Sequence, residues 1–203
     1  MKQVSKNHYG FSNYITKARF LSFWCQINEV IKFNPKRVLE IGPGSGVVTQ
    51  ILRQQGIEVV TVDYADDVGA DVVASVLDLP FPDASFDVVI CCQVLEHLPF
   101  VDFIPALNQI RRVAVMGAVI SLPHTGRYWR YLFSIPKLGE WQFGLDLQFM
   151  PQKHEFDGQH YWEIGKRDYP ISRIRECLKG VFPSVVDYRY YDYYYHHFFV
   201  CKV

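Results

Sequence analysis

Three glycines at alternate positions follow an apolar run that ends in an acid: Val38-Leu39-Glu40-Ile41-Gly42-Pro43-Gly44-Ser45-Gly46. Residues of this kind bind a ligand rather than react with it. Glycine lacks a Cβ, so it accepts positive φ and lets another molecule approach the main chain closely. Lys36 to Ile41 predicts a strand and Val47 to Gln55 a helix, so the glycines form a strand-to-helix turn whose helix amides face whatever binds there. A second group, His154, Asp157, His160 and Glu163, recurs every three residues and consists of side chains that ligate metals. On a continuous helix all four would share one face. Gly158 interrupts such a helix, and loop histidines beside aromatics line pockets or pack, so the spacing predicts no metal.

The chain has 203 residues, 49% of them hydrophobic, which is enough for one well-cored domain and too little for two. Twenty-one basic residues balance 21 acidic ones, so there is no electrostatic footprint for a phosphate backbone and nucleic acid is not an expected partner. No apolar run reads as a membrane span or signal peptide. The five cysteines Cys25, Cys91, Cys92, Cys177 and Cys201 form no C-x-x-C pair, which predicts free thiols and a cytoplasmic location. Ser12 to Phe33 has helical apolar spacing, with Asn34-Pro35 as its stop. Strands at 37–41, 58–62, 86–91 and 113–121, a short one near 71–76, and helices at 47–55 and 102–112 then alternate. That order predicts a parallel sheet covered on both faces, as the unbroken apolar runs Val59 to Val62 and Val88 to Cys91 require. After a helix at 171–179, Val185–Tyr191 and His197–Val203 read as an antiparallel hairpin joined by a tyrosine-rich connection. Between His124 and Asp168 lies an aromatic-rich segment, including Phe149, that reads as a lid following the carboxyl end of a strand.

These residues resemble the class I S-adenosylmethionine-dependent methyltransferases, in particular a compact small-molecule group with a Val-Leu-Glu-His motif. The likeness is detailed over 36–123 and looser elsewhere. It implies an α/β, Rossmann-like doubly wound fold, with a mostly parallel seven-stranded sheet and an antiparallel C-terminal hairpin strand. The whole chain then reads as a single domain, with a helical cap over 1–35, a cofactor-binding core over 36–123, a substrate lid over 124–168, and the last helix and hairpin over 169–203. Three segments carry the resemblance. Glu40, Gly42, Gly44 and Gly46 match the loop that wraps the methionine portion of S-adenosylmethionine. Asp63, at the end of the second strand, would accept from the ribose hydroxyls, and Tyr64 would lie against the adenine. The segment Asp78-Leu79-Pro80-Phe81-Pro82-Asp83-Ala84-Ser85-Phe86-Asp87 matches the second motif and assigns Asp78 to the adenine amino group, with the Leu79 amide on a ring nitrogen. Asp83 and Asp87 read as turn caps. Gln93-Val94-Leu95-Glu96-His97 is the third match. It implies Gln93 at the methionine end, with Glu96 and His97 bracing the turn through backbone hydrogen bonds.

The competing oxidoreductase fingerprint wants a sixth-place glycine, where this chain has Val47. An NAD-linked oxidoreductase is therefore the lesser alternative, beside a binding module that keeps the loop without catalysis. Methyl transfer from a sulfonium is an in-line displacement, so the protein's work is positioning in a dry pocket. A hydroxyl acceptor also needs a base. His124, after the fifth strand, and His160, in His160-Tyr161-Trp162-Glu163, are the expected acceptor-side residues, one of them the base. Tyr9, Phe11, Tyr14 and Trp24 could fold over the cofactor. The expected acceptor is a small molecule, O- or N-methylated. Arg127 to Phe133 mixes basic and aromatic residues and keeps a membrane-associated or lipid-linked acceptor as a lesser reading. The sequence does not set the oligomeric state.

Overall fold

The computed structural model describes residues 14–147 and 150–203, without the side chains of 146 and 147. Tyr9, Phe11 and Phe149 lie outside the described residues. Helix α1 (Lys17–Ile31) starts where the Thr16 side chain accepts from the Arg19 amide at 3.2 Å, and it stops before Asn34, which takes φ +52° ahead of Pro35. Strand β1 (Arg37–Ile41) leads through the glycine turn into α2 (Val47–Gln54), followed by β2 (Glu58–Asp63), the two-residue β3 (Val72–Val73) and β4 (Phe86–Cys92). Two 3-10 turns, at Leu95–His97 and Phe100–Asp102, precede α3 (Phe103–Val113) and β5 (Ala114–Pro123). The chain then runs through β6 (Arg127–Ile135), β7 (Gly139–Leu147), α4 (Ile171–Val181), β8 (Ser184–Tyr190) and β9 (Tyr193–Lys202).

Seven strands form one sheet in the order β3-β2-β1-β4-β5-β9-β8. All neighbours are parallel except β9, which runs antiparallel to both β5 and β8. The expected doubly wound, mostly parallel sheet is the observed one. Its strands are apolar throughout because both faces are covered: Val38, Val88, Ile90 and Val119 pack with α1 and α2 on one side, and Leu39, Val89, Cys91 and Ile120 with α3 and α4 on the other. On α3, Phe103, Ala106, Leu107, Ile110 and Val113 are buried at helical spacing. Asp87 accepts from the amides of Lys36 and Arg37 at 2.7 and 2.9 Å and so fastens the turn before β1, whereas Asp83 forms an exposed ion pair with Arg112 of α3 at 2.8 Å instead of the expected turn cap.

The segment 124–168 divides in two. Strands β6 and β7 pair as a separate two-stranded sheet whose Trp129, Tyr131, Phe133, Trp141 and Phe143 are exposed. Residues 151–168 instead pack on the domain through Trp162. Its ring is fully buried against Phe100 and Phe103, and its Nε1–H donates to the Leu98 carbonyl at 3.1 Å. Trp162→Phe keeps most of the contact and orphans that carbonyl, so it is expected to cost about 1–3 kcal/mol in a urea titration. Unchanged stability would show that the hydrogen bond carries nothing. Among the described residues the cysteines are free, and no helix is long and apolar enough to cross a membrane.

Candidate functional site

Parallel strands β1 and β4 are neighbours whose following connections lead to opposite faces of the sheet, and a crevice opens at their carboxyl ends. A cavity of about 600 Å³ occupies it, lined along one side by Ile41, Gly42, Gly44, Asp63 and Tyr64. Gly42, Gly44 and Gly46 all have positive φ (+71°, +53° and +73°). At Gly42 the need for glycine is also steric, since a Cβ would sit 2.5 Å from Val94 Cγ2. Gly46 is the N-cap of α2 and does not reach the cavity wall. Beneath the loop, Glu40 is buried and accepts from the Thr49 hydroxyl. Burial pushes its carboxyl up to about 7, against that hydrogen bond and the charge of Arg53.

Asp63 ends β2, accepts from the Ala65 amide at 2.8 Å and is raised in pKa by partial burial. Tyr64 follows on the cavity wall with an exposed ring. The other expected adenine residues are placed differently. Asp78 is exposed and does not line the cavity, while the Leu79 side chain is in the core and its amide points to Gln109 Oε1 at 3.4 Å. A turn closed by the Asp78 amide on the Ser75 carbonyl, 3.0 Å, explains this correction. It presents Ala74, Ser75, Val76 and Leu77 to the cavity and turns the next side chain out to solvent.

At the far end the cavity is walled by Gln93, Val94, Glu96, His97, Gln159 and His160. Gln93 takes φ +58°, a strained conformation for a residue with a side chain, and its amide donates to the Ser121 carbonyl at 2.9 Å. Glu96 is fully buried, and among the described residues neither carboxyl oxygen meets a hydrogen-bond donor of another residue. Burial pushes its carboxyl up to about 8. His97 does bond the main chain, through Nδ1 to the Gln159 carbonyl at 3.0 Å, and burial lowers its pKa. His160 Nδ1 meets Glu163 Oε1 at 2.7 Å. Burial opposes charge on that ring, but Glu163 and the nearby Glu96 outweigh it and raise the pKa.

The two expected acceptor-side histidines are thus separated. His160 lines the cavity and His124 does not. The His124 ring turns toward β8 and β9, with Nδ1 at 2.9 Å from His197 Nδ1 and 3.0 Å from Arg189 Nε. Burial and the Arg189 charge depress it to about 2, so it is a neutral ring locked in a structural network. Four further wall residues come from distant segments: Tyr14 and Arg19 near α1, and Tyr195 and His196 on β9. Of the two aromatic residues near α1 expected to cover the cofactor, Tyr14 lines the cavity and Trp24 packs edge-on against Tyr190 instead. The β9 pair carries no sequence motif, and only the sheet order reveals it. A separate, wide-open concavity lies between the base of the β6–β7 hairpin and Tyr191 and Tyr194, and contains none of the expected site residues.

Residues 39–122 match the sequence family described as methyltransferase domain. A probable S-adenosylmethionine-dependent methyltransferase of Mycobacterium tuberculosis is 31% identical over 93 residues, which cover 38% of this chain and 34% of that protein. The ubiquinone biosynthesis O-methyltransferase of Pseudomonas entomophila is 30% identical over 89 residues, covering 36% and 38%. The chain spans less than half the length of the curated relatives it matches. Among solved structures, the Burkholderia thailandensis 1,6-didemethyltoxoflavin-N1-methyltransferase, with its substrate and S-adenosylhomocysteine bound, superposes with a TM-score of 0.56 at 15% identity, covering 100% of this chain and 91% of that one. That likeness is one of fold.

Proposed function

We propose that the chain, whose residues 39–122 match the methyltransferase domain family, is a class I S-adenosylmethionine-dependent methyltransferase that transfers the methyl group of S-adenosylmethionine to an oxygen or nitrogen of a small molecule. The observation that carries the reading is the 600 Å³ cavity at the β1/β4 switch point, with a glycine turn at one end and a group of ionisable side chains at the other. Gly42 and Gly44 leave room for the methionine portion. Gly46 sets the start of α2, and Glu40 holds the loop from below through Thr49. Asp63 accepts from the ribose hydroxyls, and Tyr64 flanks the base. The adenine edge is read by residues 75–77 rather than by Asp78 and Leu79, because the turn at Ser75–Asp78 puts those three on the wall.

Gln93 lies between the methionine end and the acceptor end, where Glu96, His97 and His160 meet the acceptor and Glu163 orients the His160 ring. Of the two histidines, only His160 is in position to serve the reaction. The protein contributes orientation and exclusion of water, and the sulfonium leaving group supplies the driving force. A cavity of this size takes the cofactor and a small acceptor.

Calorimetric titration with S-adenosylmethionine, S-adenosylhomocysteine and NAD tests the cofactor, and a methyl-transfer screen over small hydroxy and amino compounds tests the activity. Binding of both adenosyl compounds and not of NAD is the expected result. Failure of both to bind would overturn the reading. Asp63→Ala is expected to weaken S-adenosylhomocysteine binding about tenfold to a hundredfold, the value of one or two charge-assisted hydrogen bonds. An unchanged Kd would remove Asp63 from the ribose.

A further inference from the structure

We propose that Glu96, His97 and His160 bind a divalent first-row metal ion at the acceptor end of the cavity, with zinc the best match to the donor set. Each of the three offers one ligand atom, and these atoms lie within 4.8 Å of one another. Ligand atoms about 2.0–2.2 Å from a common ion fall within such a separation of one another. Two imidazoles and one carboxylate are the protein ligands of catalytic zinc sites that keep a position open for water or substrate.

Two independent observations point to an ion. Glu96 is fully buried on the cavity wall, and among the described residues neither carboxyl oxygen meets a hydrogen-bond donor of another residue; ionised there, it costs several kcal/mol unless a cation meets it. Both rings are also fixed from behind by an oxygen acceptor. His160 Nδ1–H donates to Glu163 Oε1 at 2.7 Å, and His97 Nδ1–H to the Gln159 carbonyl at 3.0 Å. A ring whose Nδ1 carries the proton has its lone pair on Nε2. Carboxylate and carbonyl acceptors behind ligating histidines are the usual means of fixing that tautomer. Tyr195 donates in turn to Glu163 Oε1 at 3.3 Å, so the outer support extends onto β9. The charges that face Glu96 otherwise are those of His160, Glu163 and, from α1, Arg19.

The sequence spacing pointed elsewhere. It groups His160 with His154, Asp157 and Glu163; Asp157, His160 and Glu163 do bring ligand atoms within 4.8 Å of one another, but Asp157 is exposed and already caps the amides of Gln159 and His160, Glu163 is bonded to His160 Nδ1, and His154 bonds the His160 carbonyl through Nε2 at 2.9 Å. The ligands come together from the turn after β4 and from residue 160, two segments more than sixty positions apart in the chain. All three residues line the cavity. Resting on the methyl-transfer reading, the ion selects an acceptor that offers an oxygen atom, as a hydroxyl beside a carbonyl or carboxylate does.

The test uses the full chain, stripped with a chelator and dialysed against zinc or cobalt(II) chloride, with metal content measured after removal of the free ion. One equivalent per chain is expected, with visible cobalt absorption that shifts on addition of acetohydroxamate, a bidentate oxygen ligand. Glu96→Gln is expected to weaken the metal at least thirtyfold, and Glu163→Gln, which removes only the outer support, about tenfold. Zinc should raise the melting temperature of the native chain and not that of Glu96→Gln, which separates ligation from folding. S-adenosylhomocysteine binding by the native chain is followed in the same samples. Absence of stoichiometric zinc or cobalt in a chain that binds S-adenosylhomocysteine, or full retention by Glu96→Gln, would overturn the metal site. Metal bound with no S-adenosylhomocysteine binding would instead overturn the methyl-transfer reading and leave the site standing.

Discussion

Gly42→Ala is expected to weaken S-adenosylhomocysteine binding several hundredfold or more while the sheet still folds. A Cβ there meets Val94 Cγ2 at 2.5 Å, too close for any real contact, and the φ of +71° costs a residue with a side chain about 1–2 kcal/mol. Val94 is itself on the cavity wall, so whether the loop or that side chain shifts, the wall of the ligand site changes shape. Together these effects amount to about 3–4 kcal/mol against the bound state. Gly46→Ala is the internal comparison. Its φ is +73°, yet a Cβ there meets nothing within 4 Å, so the cost is strain alone and binding should fall by no more than about tenfold. Titration calorimetry on both variants, with circular dichroism as the folding control, decides the matter. Equal effects at the two positions would mean that left-handed conformation, and not the contact with Val94, dictates glycine at 42.

Glu40→Gln is expected to change how stability depends on pH. In the folded chain the carboxyl is pushed up to about 7 by burial, against an ordinary value of 4.5. Between those two values the folded state holds a proton that the unfolded state releases. Stability from this group is therefore fully present below pH 4.5 and is lost as pH rises to about 7. The loss is about 3 kcal/mol. A glutamine cannot ionise and can still accept from Thr49, so the variant should match the native chain near pH 4.5 and exceed it by about 3 kcal/mol at pH 8. Urea titrations at the two pH values measure this directly. Glu96 adds a slope of the same sign, so the difference between variant and native chain is the quantity to compare. A variant less stable at both pH values would show that the charged form of Glu40 is satisfied in the fold. If Glu40 also attracts the methionine ammonium, the same variant binds S-adenosylhomocysteine more weakly, which links greater stability to weaker binding.

Much of this was legible from local pattern. The strands of the core are short apolar runs separated by amphipathic helices, and Val59 to Val62 or Val88 to Cys91 can be soluble only if covered on both faces. The glycine turn and Asp63 are readable because their spacing follows from one strand-turn-helix unit. Asp78 was misplaced because the direction of a side chain in an irregular turn depends on one hydrogen bond, Asp78 N–H to the Ser75 carbonyl, that no residue type announces. The hairpin β6–β7 did have a signal, since Trp129, Tyr131, Phe133 and Ile135 alternate with Arg130, Leu132 and Ser134 before a Pro-Lys-Leu-Gly turn. Its aromatic richness reads as a lid instead, yet among the described residues of 124–168 only Gln159 and His160 reach the cavity. His124 departs from its expected place because a strand end can face either the crevice or the neighbouring strand. Here Arg189 and His197 draw it to the latter. Glu96 could not be recognised from composition, because its significance lies in what fails to contact it.

The place of β9 in the sheet has a consequence for how the chain acquires its activity. Its pairs with β5, such as Pro123 with His196 and Gly117 with Lys202, join residues more than seventy positions apart, and contacts of that range form slowly. Strands β8 and β9 pair as a local antiparallel hairpin across Tyr191 and Asp192, so the slow step is the docking of that hairpin onto β5. Tyr195 and His196 arrive on β9 and complete the cavity wall. In a refolding time course, capture of S-adenosylhomocysteine should therefore trail the recovery of helix and appear with the slowest sheet-forming phase.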